Sequence, residues 1–277
     1  MDTFIRTTPY TGPVRGVILD WAGTAVDYGC VGPVAVFIEV FKRRGVEVTA
    51  AEARKPMGLM KKDHVRQMCA DPSVAAKWEA VHGRQPNEGD VDAMYQDVEP
   101  LMVDSVAATA EPIPGVVDMV EIFRRQGIRL GSTTGYTTPI MDVLIPEAKR
   151  RGYAPDVVVC PSDVPAGRPY PWMCYLNAIR LEVYPMESMV KIGDTVNDIH
   201  EGLNAGMWTV GVTRTGNELG LTEAEVALLA PHDLRQRLDA IAARLYAAGA
   251  HYVIESVEWC PGVLRAINER LARSERP

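Results

Sequence analysis

The sequence predicts an α/β fold: a doubly wound, Rossmann-like parallel sheet interrupted by a helical insertion. Five short apolar runs have the composition of buried parallel strands, namely GVILDW, GIRLGS, DVVVC, MVKIGD and WTVGVT. Helical patterns separate most of them: GVVDMVEIFRRQ, PIMDVLIPEAKRR, PWMCYLNAIRLE and VNDIHEGLNA. Strands that alternate with helices in this way are typical of a doubly wound sheet.

The insertion follows the first strand. It has helical periodicity, as in VAVFIEVFKRRG and DHVRQMCA, and TAAE at residues 49–52 fits a capping box that begins a helix. We expect hinges near Tyr28 and in EPIPG, where prolines stiffen the return. The expected division is a helical cap domain at 28–108 and an α/β catalytic core formed by 1–27 and 109–277.

Composition limits the possible partners and cell compartments. The net charge of −7 argues against a nucleic-acid partner, because no basic surplus is present to neutralise phosphates. The N-terminal MDTFIRTTPYTGPV lacks an apolar core of signal-peptide length, and no uncharged apolar run is long enough to span a membrane. The five scattered cysteines never form CxxC, which favours reduced thiols. We expect a cytoplasmic protein that acts away from membranes and nucleic acids; a small-molecule substrate is implied only by the resemblance described below.

Polar groups follow the predicted strands where a parallel sheet binds its ligands. Asp20 follows the first strand, STTG at 132–135 follows the second, and Asp194 and Asp198 lie in KIGDTVND. The third strand leads into PSDVPAGRPYPW, which contains Arg168. If the sheet forms as predicted, these groups converge on one crevice.

Two of these carboxylates suit a hard cation. Asp20 and Asp194, with a backbone carbonyl and waters, could hold octahedral Mg²⁺, which takes few protein ligands. Taken singly, each aspartate is equally typical of a turn or helix cap. Asp198 fits either a carboxylate that supports the metal ligands or an ordinary residue of the first helical turn.

Three further residues have the chemistry to bind a phosphoryl group. Thr134 and Gly135 offer a hydroxyl and backbone N–H groups at a helix start, although a solvated loop has the same composition. Arg168 lies in a loop stiffened by prolines, and a fixed guanidinium can bind a phosphoryl group bidentately. The alternative for Arg168 is an ordinary surface arginine.

A lysine in the inserted segment is the candidate nucleophile for a carbonyl group. In RKPMGLMKKDHV, residues 54–65, Lys61 and His64 are three apart and share a helix face. Neighbouring cations, a helix N-terminus and burial under a closing cap would lower an amine's pKa and make it a Schiff-base nucleophile. From spacing alone, a solvated charged face is the favoured explanation of these residues.

Position 22 departs from the usual pattern of phosphate-transferring enzymes. In most enzymes with a nucleophilic aspartate at a strand end, a second aspartate two positions later protonates the leaving oxygen. Here Ala22 occupies that position. The chemistry must therefore use the nucleophile Asp20 without this acid.

These segments resemble the phosphonoacetaldehyde hydrolases (phosphonatases), a family of the haloacid dehalogenase superfamily. The resemblance runs from about Gly16 to His251 and rests on LDWAGTAVDYGC, ARKPMGLMKKDHV, GSTTGYT, DVPAGRPYPWMCY and KIGDTVND with GLNAGMWTVGV. DWAGT and RKPMGL-x-K-x-DH are its most specific parts. The resemblance implies a haloacid dehalogenase core with an inserted α-helical cap domain, and a homodimer formed through the cap.

The resemblance also implies roles for individual residues. Asp20 is the nucleophile that becomes an aspartyl phosphate, and Lys61 is the Schiff-base lysine. The implied Mg²⁺ ligands are Asp20, the Ala22 carbonyl oxygen and Asp194, with Asp198 supporting them. Thr134, Gly135 and Arg168 hold the phosphoryl group, and the residues that line or support the site are Met57, Gly58, Cys30, Tyr136 and His64.

The implied reaction, part of phosphonate catabolism, accounts for position 22. Carbon is a poor leaving group, so an iminium at Lys61 must accept the electrons of the carbon–phosphorus bond. An acid at position 22 would have no oxygen to protonate, which makes Ala22 and Lys61 consistent with each other. His64 is the candidate that protonates the enamine, on proximity in sequence only.

Three alternatives stay open on the sequence. A phosphatase or phosphotransferase of the same superfamily would act on phosphate esters, but it would need the acid that Ala22 replaces. A dehalogenase needs no metal, which leaves the pair Asp194 and Asp198 without a purpose. A non-catalytic metabolite-binding protein would not need nucleophile, metal ligands, arginine and lysine together.

Overall fold

A computed structural model describes residues 9–277 and contains one parallel sheet of six strands. The strand order is β3-β2-β1-β4-β5-β6, which confirms the predicted doubly wound α/β fold. The five predicted strands are present, and a sixth, not predicted, forms the edge beside β5. The strands are β1 Gly16–Leu19, β2 Arg129–Thr133, β3 Val157–Val159, β4 Met189–Gly193, β5 Trp208–Val212 and β6 Tyr252–Ile254.

The register of the central strands brings their polar ends side by side. Leu19 of β1 pairs with Ser132 of β2 on one side and with Ile192 of β4 on the other. Asp20 therefore lies level with the end of β2 and just before Asp194. This register brings Asp20, the STTG segment at the end of β2 and Asp194 after β4 to the same edge of the sheet.

All regular structure between Val31 and Val106 is helical. The helices are α1 Val31–Lys42, α2 Ala50–Arg54, α3 Lys61–Ala70, α4 Pro72–His82 and α5 Glu88–Val106. The predicted capping box is confirmed: the Glu52 N–H donates to Thr49 Oγ1 at 3.2 Å, and the Thr49 N–H donates to Glu52 Oε2 at 2.7 Å. Phe37 and Phe41 of α1 are buried within the chain itself.

Two connections join this helical segment to the sheet, and they run beside each other. The Ile113 N–H donates to the Ala25 carbonyl at 2.9 Å, and Val26 forms an isolated bridge with Pro112. Their pairing means that both chain crossings lie at one point, near the predicted hinges.

Seven further helices complete the α/β layers. They are α6 Val116–Arg125, α7 Thr138–Arg150, α8 Trp172–Leu181, α9 Val196–Asn204, α10 Glu223–Leu228, α11 Pro231–Ala247 and α12 Cys260–Ala272. Short 3₁₀ helices lie at Ala107–Thr109, Pro161–Asp163, Met186–Ser188 and Val257–Trp259. The five cysteines are buried free thiols. None of the helices described is both long and apolar enough to cross a membrane.

Candidate active site

Asp20 stands at the end of β1 with its position set by the neighbouring strand. Its backbone N–H donates to the Ile192 carbonyl at 2.9 Å. Its side chain is buried, with 6% of the residue exposed, and Oδ1 accepts a hydrogen bond of 2.6 Å from Arg168 Nη2. A buried carboxylate held by one guanidinium has a fixed orientation.

The rest of the DWAGT motif shapes the space around Asp194. Gly23 has φ +88°, and a Cβ there would lie 2.5 Å from Asp194 Oδ2, so no larger residue fits. Thr24 Oγ1 donates to Asp194 Oδ1 at 2.9 Å. Trp21 points away into the core, where its ring meets the edge of Tyr153 at a centroid distance of 5.1 Å.

Three buried carboxylates form a potential metal site. Asp20, Asp194 and Asp198 each offer an oxygen, and these atoms lie within 4.8 Å of one another. Burial raises the pKa of Asp194 well above its ordinary value, and the negative charges of Asp20 and Asp198 raise it further. A divalent cation would remove this repulsion, so the donor set fits a hard metal ion.

Asp198 already has partners within the chain. Its Oδ1 accepts from Lys191 Nζ at 2.6 Å, and its Oδ2 accepts from Thr195 Oγ1 at 2.6 Å. Burial raises the pKa of Asp198, but Arg168 and Lys191 lower it below the ordinary value overall. These contacts suit a residue that supports metal ligands rather than one that binds the metal directly.

Arg168 is the centre of a buried charge network. Besides Asp20, its guanidinium contacts Glu201 Oε2 at 2.9 Å, Asp198 Oδ1 at 3.1 Å and Thr133 Oγ1 at 2.9 Å. Four carboxylates and two cations are buried together, and when all are ionised they leave a net charge of −2. That charge is complementary to one divalent cation. The six residues are Asp20, Asp194, Asp198, Glu201, Arg168 and Lys191.

The loop after β2 meets the helical segment directly. Thr134 Oγ1 accepts from the Tyr136 N–H at 3.1 Å, which turns the chain at this point. A Cβ at Gly135 would lie 2.5 Å from the Leu59 carbonyl oxygen. Only a glycine therefore permits this approach of the two backbones.

Lys61 is the first residue of α3 and is buried, with 3% exposed. Its Nζ lies 4.5 Å from the centroid of the Tyr136 ring and 5.6 Å from that of Phe37. Burial lowers the pKa of Lys61 to about 8, although Cys30 and Asp20 act to raise it. Within residues 9–277, no carboxylate lies within 4.0 Å of this amine, so its ammonium form has no direct counter-ion.

Its neighbour Lys62 differs in both exposure and charge partner. Its side chain is 35% exposed, and its Nζ pairs with Asp92 Oδ1 at 2.5 Å. One lysine of the KK pair is therefore inside the protein beside Asp20, and the other is at the surface.

These residues surround one small cavity of about 20 Å³, space for about one water molecule. The Met57 carbonyl accepts from Asn197 Nδ2 at 2.7 Å, and a Cβ at Gly58 would lie 2.6 Å from Thr195 Oγ1. The helical segment is therefore closed over the sheet. The cavity is lined by Asp20, Ala22, Cys30, Pro33, Met57, Gly58, Lys61, Thr134, Gly135, Tyr136, Arg168 and Thr195.

Comparison with known proteins places this geometry in a family. The haloacid dehalogenase-like hydrolase family matches residues 14–206. A phosphonoacetaldehyde hydrolase of Nitratidesulfovibrio vulgaris is 62% identical over 277 residues, covering 100% of this chain and 99% of the relative. The chain belongs to the phosphonoacetaldehyde hydrolase family. As a member of this family of hydrolases, it is an enzyme.

Other relatives match 93% or more of the chain. A phosphonoacetaldehyde hydrolase of Bacillus cytotoxicus is 52% identical over 257 residues, covering 93% of this chain and 97% of the relative. The crystal structure of a phosphonoacetaldehyde hydrolase-like protein from Oleispira antarctica is 40% identical, with a TM-score of 0.96 and full coverage of both chains. The phosphonoacetaldehyde hydrolase fold therefore extends over the core and the helical segment.

His64 lies behind the cavity rather than on its wall. Its ring stacks on Phe37 with a centroid distance of 3.7 Å, and its Nε2 is 2.8 Å from the Ala53 carbonyl. An N–H must therefore be at Nε2, which leaves Nδ1 as an acceptor, and no side-chain or backbone donor within residues 9–277 reaches it. Burial lowers the pKa of His64 well below its ordinary value, and Lys61 lowers it further.

Four residues in or around this site were not predicted from the sequence. Glu201, which contacts Arg168, is three residues after Asp198 on α9 and shares its face. Lys191 is a charged residue inside an apolar strand, and this signal could have predicted buried acidic partners. Pro33 and Thr195 on the cavity wall carried no such signal.

Proposed function

We propose that this enzyme hydrolyses the carbon–phosphorus bond of phosphonoacetaldehyde to acetaldehyde and orthophosphate. One observation carries the proposal: a buried amine with a lowered pKa, Lys61, lines the same small cavity as Asp20, Arg168 and Ala22. The names of the relatives support the substrate. A phosphate-ester enzyme would need an acid where this chain has Ala22, and it would have no use for a neutral lysine.

The lowered pKa supports a Schiff base at Lys61. Only the neutral amine attacks an aldehyde carbonyl. With a pKa of about 8, about one Lys61 in ten is neutral at pH 7, against about one in 3,000 for a lysine at 10.5. Condensation with the aldehyde takes up one proton, expels one water and gives an iminium whose carbon is bonded to the carbon that bears phosphorus.

Asp20 then attacks phosphorus. As the oxygen–phosphorus bond forms, the carbon–phosphorus electron pair moves to the carbon and neutralises the iminium, which becomes an enamine. Protonation of the enamine carbon and addition of water release acetaldehyde and the amine of Lys61. A second water cleaves the aspartyl phosphate, which restores Asp20 and gives orthophosphate.

The surrounding residues position the phosphoryl group. Arg168, whose guanidinium is fixed by Glu201 and Asp198, neutralises phosphoryl charge beside Asp20. Thr134 and Gly135 line the same wall and offer a hydroxyl and an N–H. Cavity-wall contacts to the rest of the substrate come from Cys30, Met57, Gly58 and Tyr136.

We propose Mg²⁺ as the metal that the carboxylates bind. Asp20, the Ala22 carbonyl oxygen and Asp194 would hold it, with Asp198 supporting them. A bound Mg²⁺ supplies charge neutralisation, which allows an anionic phosphonate to approach an anionic carboxylate. The net charge of −2 in the buried network supports this assignment.

The remaining expectations belong to the same proposal. Residues 28–108 would form a cap domain that opens over a core of 1–27 and 109–277 to admit substrate, since the closed cavity holds about one water. His64 is kept as the group that moves a proton to the enamine, and because its ring lies behind the cavity wall it would act through a water rather than by direct contact. We further propose a cytoplasmic homodimer, joined through the cap, that serves phosphonate catabolism.

Product analysis with reductive trapping tests the proposal. Incubation of phosphonoacetaldehyde with Mg²⁺ should release acetaldehyde and orthophosphate in equal amounts. Borohydride added during turnover should reduce the imine and inactivate the enzyme, and mass spectrometry should find the adduct on Lys61.

A matched pair of variants makes the test specific. Lys61→Arg keeps the charge but cannot form an imine, so trapping and phosphate release should both be lost. Lys62→Arg should retain both, because that side chain pairs with Asp92 at the surface. Phosphate release from esters, without trapping and unaffected by Lys61→Arg, would refute the proposal and indicate a phosphatase.

A further inference from the structure

The loop at residues 214–220, between β5 and α10, lies between the cap and the carboxylate of Asp194. On the core side, the Asn217 backbone N–H donates to Asp194 Oδ2 at 2.7 Å. On the cap side, Arg54 at the end of α2 donates from Nη1 to Asn217 Oδ1 at 3.1 Å and from Nη2 to the Gly220 carbonyl at 3.0 Å. Asn217 therefore contacts the cap and a metal-binding carboxylate at once.

Arg54 forms no ion pair with a carboxylate in the described chain. No aspartate or glutamate oxygen within residues 9–277 lies within 4.0 Å of its guanidinium. Its other hydrogen bonds go to the carbonyls of Gly29 at 2.8 Å, Cys30 at 3.3 Å and Asn217 at 3.4 Å. These donors join the first residues of the cap to a core loop that is remote in sequence, which suits a clamp rather than an ion pair.

The side chain of Asn217 matches Arg54 in one orientation only. Oδ1 accepts from the guanidinium, while Nδ2 donates to the Arg54 carbonyl at 3.2 Å. The reversed amide would set donor against donor and acceptor against acceptor. With 2% of the residue exposed, Asn217 has little water to satisfy it otherwise.

The loop has no spare room on either face. A Cβ at Gly216 would lie 2.5 Å from the Cβ of Asp194. At Gly220, where φ is +67°, a Cβ would lie 2.6 Å from Arg54 Nε. A displacement on the cap side must therefore be felt at Asp194.

We propose that Arg54 and Asn217 are positioning residues that couple closure of the cap to the carboxylate of Asp194. Arg54 lies seven residues before Lys61, so the movement that brings Lys61 to the cavity also fixes Asp194 for the metal. Because coupling is reciprocal, Mg²⁺ binding favours the closed cap by the same factor. The inference rests on the proposed function for the opening of the cap and for Asp194 as a metal ligand.

Metal binding in the absence of substrate tests the coupling. Calorimetric titration with Mg²⁺ alone should show an affinity about tenfold weaker for Arg54→Ala and for Asn217→Ala, the size usual for loss of a group that orients a metal ligand. The double variant should bind no more weakly than either single variant, since both remove one connection. Hydrogen exchange should be faster in residues 214–220 of each.

Arg44 supplies the matched control. It is also a cap arginine, but it pairs with Asp97 at 2.7 Å and donates to the Ala93 carbonyl at 2.7 Å, both within the cap. Arg44→Ala should leave Mg²⁺ affinity unchanged. If Arg54→Ala does not fold, Asn217→Ala decides, since it retains the backbone N–H that reaches Asp194.

Mg²⁺ affinity within twofold of the unmodified enzyme in both variants, with faster exchange in the loop, would overturn the coupling and leave Arg54 a simple cap anchor. These titrations contain no phosphonoacetaldehyde. A protein that binds Mg²⁺ as expected but does not release acetaldehyde would disprove the proposed function and leave the coupling intact. Conversely, acetaldehyde release together with Mg²⁺ affinity that the variants leave unchanged would support the proposed function and overturn the coupling.

Discussion

Reductive alkylation of Lys61 should rise with pH through a midpoint near pH 8 and level off above it. Burial lowers the pKa of this amine to about 8, whereas Cys30 and Asp20 act to raise it. Burial also raises the pKa of the Cys30 thiol well above its ordinary value, so this thiol stays neutral near pH 8. The carboxylates that act to raise the pKa of Lys61 are then Asp20 and, less strongly, Asp27.

The size and sign of the effect follow from the neutral fraction. Because the folded pKa is lowered, the reactive amine is gained as pH rises, about tenfold per unit below about pH 7 and more slowly through the midpoint. The rate at pH 6 should be about one hundredth of the plateau. Asp20→Asn removes a negative charge near the amine and should move the midpoint below that of the unmodified enzyme.

Acetaldehyde with cyanoborohydride is the suitable probe, since the product aldehyde has no ionisable group of its own. Mass spectrometry would follow ethylation of the Lys61 and Lys62 peptides between pH 6 and 10. Lys62, paired with Asp92 outside the cavity, serves as the internal comparison. A Lys61 midpoint above pH 10, or a shift to higher pH in Asp20→Asn, would refute the argument.

Three more predictions concern the supporting structure. Gly23→Ala would place a Cβ 2.5 Å from Asp194 Oδ2 and should weaken Mg²⁺ binding, measured by calorimetry, about tenfold or more; unchanged affinity would contradict the steric argument. Glu201→Gln breaks a buried charge network and should lower the free energy of unfolding in urea by about 3 kcal/mol; a loss below about 0.5 kcal/mol would count against it. Burial raises the pKa of Glu52, but Lys77 and hydrogen bonds lower it to about 2. The ionised carboxylate therefore contributes its full stabilisation above about pH 4.5, and this contribution is lost as the pH falls toward 2. Glu52→Gln should cost about 1 kcal/mol at pH 7, and equal differences at pH 7 and pH 3 would show that the ion pair is not the cause.

The sheet and the convergence of its polar ends could be predicted because they depend on local composition. A strand buried on both faces requires an apolar run, and the residue after it lies at the ligand-binding edge whatever its partners. Strand β6 escaped prediction because its three residues are only half-buried at the sheet's edge. A short edge strand leaves little periodicity to detect.

The partners of the site residues could not be predicted, because they are remote in sequence. Arg54 and Asn217 are 163 positions apart, and nothing in either local sequence refers to the other. Arg168 and Asp20 are 148 positions apart. The helix spacing of Lys61 and His64 did predict a shared face, but it could not predict that Phe37 would stack on the imidazole.

Position 22 has a second consequence beyond the missing acid. Ala22 and Lys61 line the same cavity, and the carboxylates already present leave the buried network negative. A carboxylate at position 22 would stabilise the ammonium form of Lys61 and reduce the neutral fraction on which imine formation depends. It would also add repulsion toward an anionic phosphonate. Under the proposed Schiff-base mechanism the enzyme therefore needs an uncharged residue at position 22, and the alanine that removes the acid for ester chemistry would also preserve the neutral amine.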